Sequence, residues 1–141
     1  MAKFVAEMAI ALEYDVMLCD PRPNYLDNWA VPGVETTAQL PDDVVRERFS
    51  NPYSGIIALA HDPRVDDMAL MEALKTSAFY IGAMGSVKTS AARRERLPEL
   101  GLSSDEIERL HAPIGFQINS KTPAEIAISV MAEITSVRYH R

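Results

Sequence analysis

The sequence contains few of the features on which several classes of protein depend. Its one cysteine, Cys19, has no partner within the chain for a disulfide, and one cysteine with three scattered histidines lacks the spacing of a metal site. No run of about 18 apolar residues is present, so we expect no membrane-spanning helix and a cytoplasmic protein. Basic side chains number 14 against 20 acidic ones. That balance argues against a nucleic-acid partner, because phosphate backbones are bound by clustered Lys and Arg.

The chain does contain enough apolar residues for a core, since 48% of its 141 residues are hydrophobic. We therefore expect one domain spanning residues 1–141. Helical periodicity alternates along the chain with short apolar runs that end at Asp-Pro or at Gly, which is typical of a parallel α/β sheet flanked by helices. The predicted strands span 16–19, 34–37, 55–60 and 78–81, and the predicted helices span 2–14, 42–49, 66–75, 87–97, 103–110 and 123–137.

The stretch 78–86 (AFYIGAMGS) predicts a ligand site. A buried strand ends at a Gly-x-x-Gly turn made by Gly82 and Gly85, and Ser86 then caps a charged helix. This arrangement directs several backbone N–H groups into one small volume, which suits an anion. Arg93, about two turns into that helix, either reaches back to the anion or is an ordinary surface residue, as most basic residues on such helices are.

Polar residues also follow two other predicted strands. Asp20 and Arg22 come after the first strand, and His61 and Asp62 come after the strand that begins at residue 55. Because the carboxyl ends of parallel strands meet at one edge of a sheet, we expect these residues and the glycine turn to form one site. Asp20 either accepts hydrogen bonds from a ribose or only caps the turn before Pro21. His61 either binds phosphate, positions a pterin or carries a proton, or it only hydrogen-bonds its own loop.

Five motifs follow one another in an order that is specific to a known family. They are DPRP (20–23), AHDPRVD (60–66), YIGAMGS (80–86), HAPIG (111–115) and TPAEIAISVMAEI (122–134). With them the chain resembles, over nearly its whole length, the C-terminal Rossmann-type domain of the XdhC/CoxI family of xanthine dehydrogenase accessory proteins.

The resemblance implies a cofactor chaperone rather than an oxidoreductase. Members of the family bind the molybdenum cofactor (molybdopterin, a pterin with a phosphate). They assist its sulfuration and its insertion into the apoenzyme of a molybdenum hydroxylase of the xanthine dehydrogenase type. We expect the cofactor to be bound at the strand ends described above, by Asp20, Arg22, His61, Asp62, Gly82, Gly85, Ser86 and Arg93.

The sequence departs from the family pattern at its beginning. It lacks the family's cysteine-containing N-terminal domain, and it lacks the first strand and Gly-rich loop that would precede Lys3 in a full Rossmann domain. That first strand is central in the usual strand order, so its absence would leave two inner edges unpaired. The gap could be closed by direct pairing of the flanking strands, by a second copy of the chain or by residues upstream of Met1. We rank self-association first and therefore expect a homo-oligomer.

Two other functions fit the same sequence. The fold allows an NAD(P)-binding oxidoreductase domain, although no Ser-His-Asp or Cys-His pattern and no other catalytic group with a defined partner is visible. A protein-interaction module with a vestigial ligand site would bind a hydroxylase subunit but no small molecule. Cofactor binding compared with nicotinamide-dependent redox activity separates these alternatives.

Overall fold

The structure is a computed structural model that describes residues 1–139. Helices and strands alternate along the chain, as predicted. In chain order the elements are α1 (Ala2–Ala11), β1 (Val16–Cys19), β2 (Val34–Thr37), α2 (Pro41–Arg48), β3 (Gly55–Ala58), α3 (Pro63–Ala73), β4 (Tyr80–Ala83), α4 (Val87–Arg96), a 3-10 turn (Leu97–Leu100), α5 (Ser104–Glu108), β5 (Leu110–His111) and α6 (Pro123–Tyr139).

Apolar side chains pack on both faces of β4, which places this strand at the centre of the core. Successive residues of a strand point to opposite faces of its sheet. Ile81 therefore joins a buried cluster with Leu70 of α3, whereas Tyr80 joins a second cluster with Val5 of α1 and Val130 of α6. Helices thus cover the strands from both sides, and the predicted Rossmann-like α/β fold is confirmed.

The strands form two parallel sheets that are separated by a gap. β1 pairs with β2 in one sheet, and β3, β4 and β5 pair in that order in the other. β1 and β3 do not pair with each other, and a cavity of about 870 Å³ lies between them. The direct pairing of these two strands, which was one of the predicted ways to close the sheet, therefore does not occur in the described chain. We call the space between β1 and β3 the strand gap.

The strand β4 begins and ends two residues later than the predicted strand 78–81. The strand begins at Tyr80 and continues through Gly82 and Ala83, so the turn starts only at Met84. A Cβ atom on Gly82 would lie 2.7 Å from the side chain of Ile114. Gly82 is part of the strand because it pairs with Ile57 and His111, and it must be glycine because the Ile114 side chain packs directly on its backbone.

β5 was not predicted, since the helix before it was expected to reach Leu110. α5 ends instead at Glu108, and Leu110 and His111 pair with β4. The guanidinium of Arg94 donates hydrogen bonds to the carbonyl groups of Leu110 and Ala112, at 3.1 and 3.0 Å. These long-range contacts hold the short strand in place, and helical periodicity gives no sign of them.

Among residues 1–139, no helix is long and apolar enough to cross a membrane. The same part of the chain contains no group of three or more His, Cys, Asp or Glu side chains that could hold a metal ion.

Candidate ligand site at the carboxyl edge of the strands

Asp20 and Arg22 form a fixed ion pair directly after β1. The Nε and Nη2 groups of Arg22 donate to the two carboxylate oxygens of Asp20 at 3.0 and 2.7 Å, and the backbone N–H of Arg22 donates to Oδ1 at 3.1 Å. The guanidinium also lies 3.6 Å from the centre of the Tyr25 ring. These contacts hold a partly exposed positive charge at the edge of the sheet. Because both oxygens of Asp20 already accept hydrogen bonds, its carboxylate mainly positions Arg22.

The charges after β1 and β3 lie near one another. Hydrogen bonds from Arg22 lower the pKa of Asp20, although the nearby Asp62 carboxylate opposes that shift. Asp62 caps α3 by accepting from the backbone N–H of Arg64 at 3.0 Å, and hydrogen bonds from Arg64 lower the pKa of Asp62. The charge of Asp62 acts on the pKa of Asp20, so the charges after β1 and β3 are close enough to interact.

His61 is exposed at this edge. Its backbone has a φ of +59°, in the left-handed region that few non-glycine residues adopt. Within residues 1–139 its ring has no hydrogen-bond partner, so its two nitrogens are available to a ligand.

The turn after β4 leads into the N-terminus of α4. Ser86 and Thr89 form a capping box: Ser86 Oγ accepts from the Thr89 N–H at 3.0 Å, and Thr89 Oγ1 accepts from the Ser86 N–H at 3.1 Å. The N–H groups of Val87 and Lys88 have no acceptor in the described chain and face outward at the positive end of the helix. Gly85 has a φ of +155°, and a Cβ atom there would contact Thr89 in the first turn of α4, at 3.4 Å. This turn is the part of the site best suited to an anion.

Gly82 and Arg93, which were also expected to contact the ligand, are instead in contact with other residues of the chain. Gly82 lies beneath Ile114, as described above. Arg93 is buried, and its guanidinium donates to Asp67 at 3.3 Å and to the carbonyl oxygen of Met84 at 3.2 Å, with Asp66 at 3.9 Å. These contacts occupy the charge that was expected to reach a ligand. Arg93 instead stabilises the loop between β4 and α4 through its hydrogen bond to the Met84 carbonyl.

Two aromatic residues belong to this region although the sequence pattern indicates no ligand-binding role for them. Tyr25 stacks on Arg22, and Trp29 lines the strand gap. The indole Nε1 of Trp29 is buried, and no acceptor for it is found among residues 1–139. A buried donor without an acceptor costs free energy, so this N–H suits a polar ligand atom. The sequence did contain one sign of such a role: Tyr25 and Trp29 both lie in the loop that follows the strand end at Asp20 and Pro21.

A second polar cluster lies on the α6 side of β4. Glu133 accepts hydrogen bonds from the Tyr80 hydroxyl at 2.5 Å and from the Gly115 N–H at 3.1 Å, and His111 Nδ1 lies 3.5 Å from the same oxygen. The rings of Tyr80 and His111 stack with their centres 4.6 Å apart. Burial and then the bond to Glu133 raise the pKa of Tyr80, which keeps the hydroxyl protonated. The cluster ties β4, β5 and α6 together, and nothing in the local sequence pattern indicates it.

Comparisons with known proteins agree with these observations. The family model described as the XdhC Rossmann domain matches residues 1–134. The molybdenum cofactor insertion chaperone PaoD of Escherichia coli K12 is 31% identical over 140 residues, which are 99% of this chain and 38% of that protein. A probable xanthine dehydrogenase subunit of Bacillus subtilis 168 is 26% identical over 135 residues, 95% of this chain and 39% of that protein.

A solved structure is similar over almost the whole chain. The crystal structure of a xanthine dehydrogenase from Bacillus halodurans superposes with a TM-score of 0.79 at 26% identity and covers 99% of this chain and 40% of that chain. This chain therefore spans about two fifths of the length of the relatives named here.

Proposed function

We propose a function from the premise that this chain belongs to the XdhC family, whose Rossmann-domain model matches residues 1–134. The chain is a cytoplasmic domain that binds the molybdenum cofactor and acts as a chaperone for its insertion into a molybdenum hydroxylase of the xanthine dehydrogenase type. The name of the PaoD relative supports the cofactor, and the names of the Bacillus proteins support the partner enzyme. Because the chain spans only part of these proteins, their full activities remain proposals here.

The observation that carries the proposal is the set of ligand-binding groups at one edge of the sheet. The free N–H groups at the start of α4 suit a phosphate, and the fixed guanidinium of Arg22 adds a positive charge after β1. The buried indole N–H of Trp29 and the exposed ring of His61 can bind the polar edge of a pterin. The bound cofactor supplies the molybdenum and the pterin that the hydroxylase needs. The residues of this chain bind and orient it.

We propose further that the chain assists sulfuration of the cofactor by holding it, not by carrying the sulfur. Burial, followed by the neighbouring Asp20 carboxylate, raises the pKa of Cys19 from 9.0 to about 11. The thiol is therefore protonated at neutral pH, whereas sulfur transfer requires a thiolate. The sulfur would come from another protein while this chain presents the cofactor.

The NAD(P) alternative has less support from the geometry. In that interpretation Asp20 accepts hydrogen bonds from a ribose, but Arg22 already donates two hydrogen bonds to its Oδ1 and one to its Oδ2, which leaves only one lone pair of Oδ2 for a ribose. Homo-oligomerisation stays a prediction.

Replacing Gly85 with valine should weaken binding of molybdopterin at least about 10-fold, because a side chain there would block the approach of the phosphate to the α4 N–H groups. Gly101 offers a control, since it also has a positive φ but follows the 3-10 turn at the far end of α4, where an added Cβ atom would meet only Lys75 Nζ, at 4.0 Å. Native mass spectrometry of each folded variant with molybdopterin measures the effect. Equal affinity of Gly85→Val and Gly101→Val would contradict the site, and tighter binding of NADH than of molybdopterin would favour the dehydrogenase alternative.

Replacing Arg22 with glutamine should also weaken molybdopterin binding about 10-fold or more, because the ligand loses a charge-assisted hydrogen bond. Arg64 is the matched control: each arginine pairs with an aspartate two residues before it, but the Arg22 side chain is 20% exposed and that of Arg64 is 88% exposed. Titration of the two variants followed by pterin fluorescence gives the two dissociation constants. If Arg64→Gln loses as much affinity as Arg22→Gln, the effect is one of net charge and Arg22 has no specific contact.

A further inference from the structure

An apolar groove lies on the surface of the protein between α1 and α6, outside the strand gap. It has a volume of about 760 Å³ and is lined by Met8 and Leu12 at the end of α1 and by α6 from Ile128 to Tyr139. None of the described residues that line it is charged. Leu12 is 47%, Ile128 is 52% and Tyr139 is 71% exposed. A contiguous apolar surface of this kind is typical of a binding site for another molecule.

The outward residues of α6 follow the spacing of a helix–helix contact. Glu125, Ile128, Ala132, Thr135 and Tyr139 are separated by three, four, three and four residues, so they lie in one row along the helix. Four of the five are exposed and Thr135 is half-buried. A row that faces water is ordinarily polar and charged, but in this row only Glu125 carries a charge. We call the surface formed by the groove and this row the α1–α6 face.

The two ends of the row carry charges of opposite sign. Glu125 lies in the first turn of α6, and Arg138 lies in the last turn, with its guanidinium 5.2 Å from the centre of the Tyr139 ring. Ala132 lies seven residues after Glu125 and six before Arg138. An antiparallel copy of α6 that crosses at Ala132 therefore brings Glu125 of each copy beside Arg138 of the other. The small side chain of Ala132 allows the two helices to approach closely at the crossing point.

The same arrangement fills the groove. Ile128 lies four residues before Ala132, so in an antiparallel pair it lies opposite Ser136 of the second copy, which lines the groove of that copy. The exposed side chain of Ile128 then contacts Met8 and Leu12 of the second copy. Because the pair has a two-fold axis, each copy contributes one isoleucine and one groove.

Other occupants fit the α1–α6 face less well. The charged residues of the two helices are Lys3, Glu7, Glu125, Glu133 and Arg138, two positive against three negative. Amphipathic helices that bind membranes are rich in Lys and Arg, because the lipid surface is negative. An unrelated protein would not require opposite charges at equal distances from a small residue, whereas an antiparallel second copy does.

We propose that the α1–α6 face is the interface of a homodimer, in which α6 packs antiparallel on α6 of a second copy about a two-fold axis at Ala132. None of the described residues that line the groove belongs to the candidate ligand site, and the contact does not use the open strand edges. Each copy therefore keeps its carboxyl edge free, and the dimer forms with or without a bound cofactor.

Sedimentation equilibrium of the 141-residue chain over a range of concentrations measures the Kd of the dimer. Ala132→Glu should raise this Kd at least about 100-fold, because the two introduced carboxylates would face each other at the axis. Ala92→Glu is the matched control: Ala92 is an exposed alanine of α4, so the variant has the same charge and should dimerise like the original chain. An original chain that stays monomeric at every concentration, or equal Kd values of the two variants, would overturn the proposal.

Two further arms test the position of the axis and the nature of the occupant. A cysteine at a two-fold axis meets its own copy, so in a Cys19→Ser background Ala132→Cys should form a covalent dimer on mild oxidation, whereas Ala92→Cys should not. Equal amounts of covalent dimer from both variants would contradict the axis. Cosedimentation with vesicles of phosphatidylglycerol provides the last comparison. A monomeric chain that binds these vesicles, and is released from them by Ala132→Glu, would make the occupant a membrane and overturn the dimer.

Discussion

Replacing Gly82 with valine should destabilise the fold by at least about 3 kcal/mol, at or beyond the upper end of ordinary overpacking effects. The first added atom, Cβ, would lie 2.7 and 2.8 Å from two carbons of Ile114 and 2.9 Å from the Tyr80 ring. Neither neighbour has space to move, since Tyr80 is 1% and Ile114 is 9% exposed. Urea denaturation followed by circular dichroism measures the change in the free energy of unfolding.

Gly55 provides a matched control for this experiment. It lies in β3, next to β4, but a Cβ there would have its nearest neighbour in Phe79 at 3.6 Å, an ordinary contact. Gly55→Val should therefore change stability little. Ile114→Ala should also be less harmful in the Gly82→Val protein than in the original chain, because it removes the clashing atoms. Equal stability of the two glycine variants would show that Ile114 does not pack on Gly82 as described.

Replacing Arg93 with methionine should cost about 3–5 kcal/mol, because it leaves the buried Asp66 without its cation and leaves Asp67 with Arg96 alone. The side chain of Arg93 is 4% exposed, and those of Asp66 and Asp67 are 3% and 14% exposed. Arg46→Met is the control, since its partner Asp43 lies at the surface and such pairs contribute less than about 1 kcal/mol. Thermal and urea unfolding of both variants at neutral pH provide the comparison.

The cost of Arg93→Met should also depend on pH. Burial raises the pKa of Asp66, against the opposing hydrogen bond from the Ala60 N–H and the charge of Arg93. A carboxyl group whose pKa is raised by folding favours the folded state at low pH, and this contribution is lost as the pH rises through its folded pKa. Removal of Arg93 raises that pKa further, so the difference between variant and original chain should shrink as the pH falls from neutral towards 3.8, the ordinary pKa of an aspartate. A difference that is constant or grows over this range would mean that Asp66 does not depend on Arg93.

The elements that the sequence predicts well have strong local signals. The apolar runs at β1 and β3 are each followed by aspartate and proline, which stop a buried strand. The start of α6 carries a capping box with proline in the first turn: the Glu125 N–H donates to Thr122 Oγ1, and Glu125 accepts from the Thr122 N–H. In such places local chemistry and tertiary structure agree, so the sequence alone is sufficient.

The errors arise where a distant residue decides the local structure. Gly82 has the local character of a turn residue but lies in a strand, where it pairs with β3 and β5 and where Ile114, 32 positions later, packs on its backbone. Leu110 continues a helical pattern but lies in β5, where Arg94 binds its carbonyl oxygen. Arg93 was expected either to reach a bound anion or to lie on the surface of α4, yet acidic residues of α3 pair with it in the core.

The candidate site could be predicted from the sequence only in part. Strand order alone brings Asp20 and Asp62 to one edge, so this part of the site follows from the sequence. The pairing of Arg22 with Asp20 and the unpartnered indole of Trp29 depend on the conformation of the loop after β1, for which proline-rich sequence gives no unique solution. The role of each residue in binding a cofactor stays a prediction.

The position of the open edges also determines how far strand pairing can proceed. When a strand adds to the outside of a sheet it presents a new edge, and repeated addition produces fibres. The outer strand β5 is only two residues long, which makes it a poor template. The edges of β1 and β3 instead face each other under a cover of helices, so one inserted strand would satisfy both and leave no new edge behind. Strand addition at this place would therefore stop after a single event, without propagating into an aggregate.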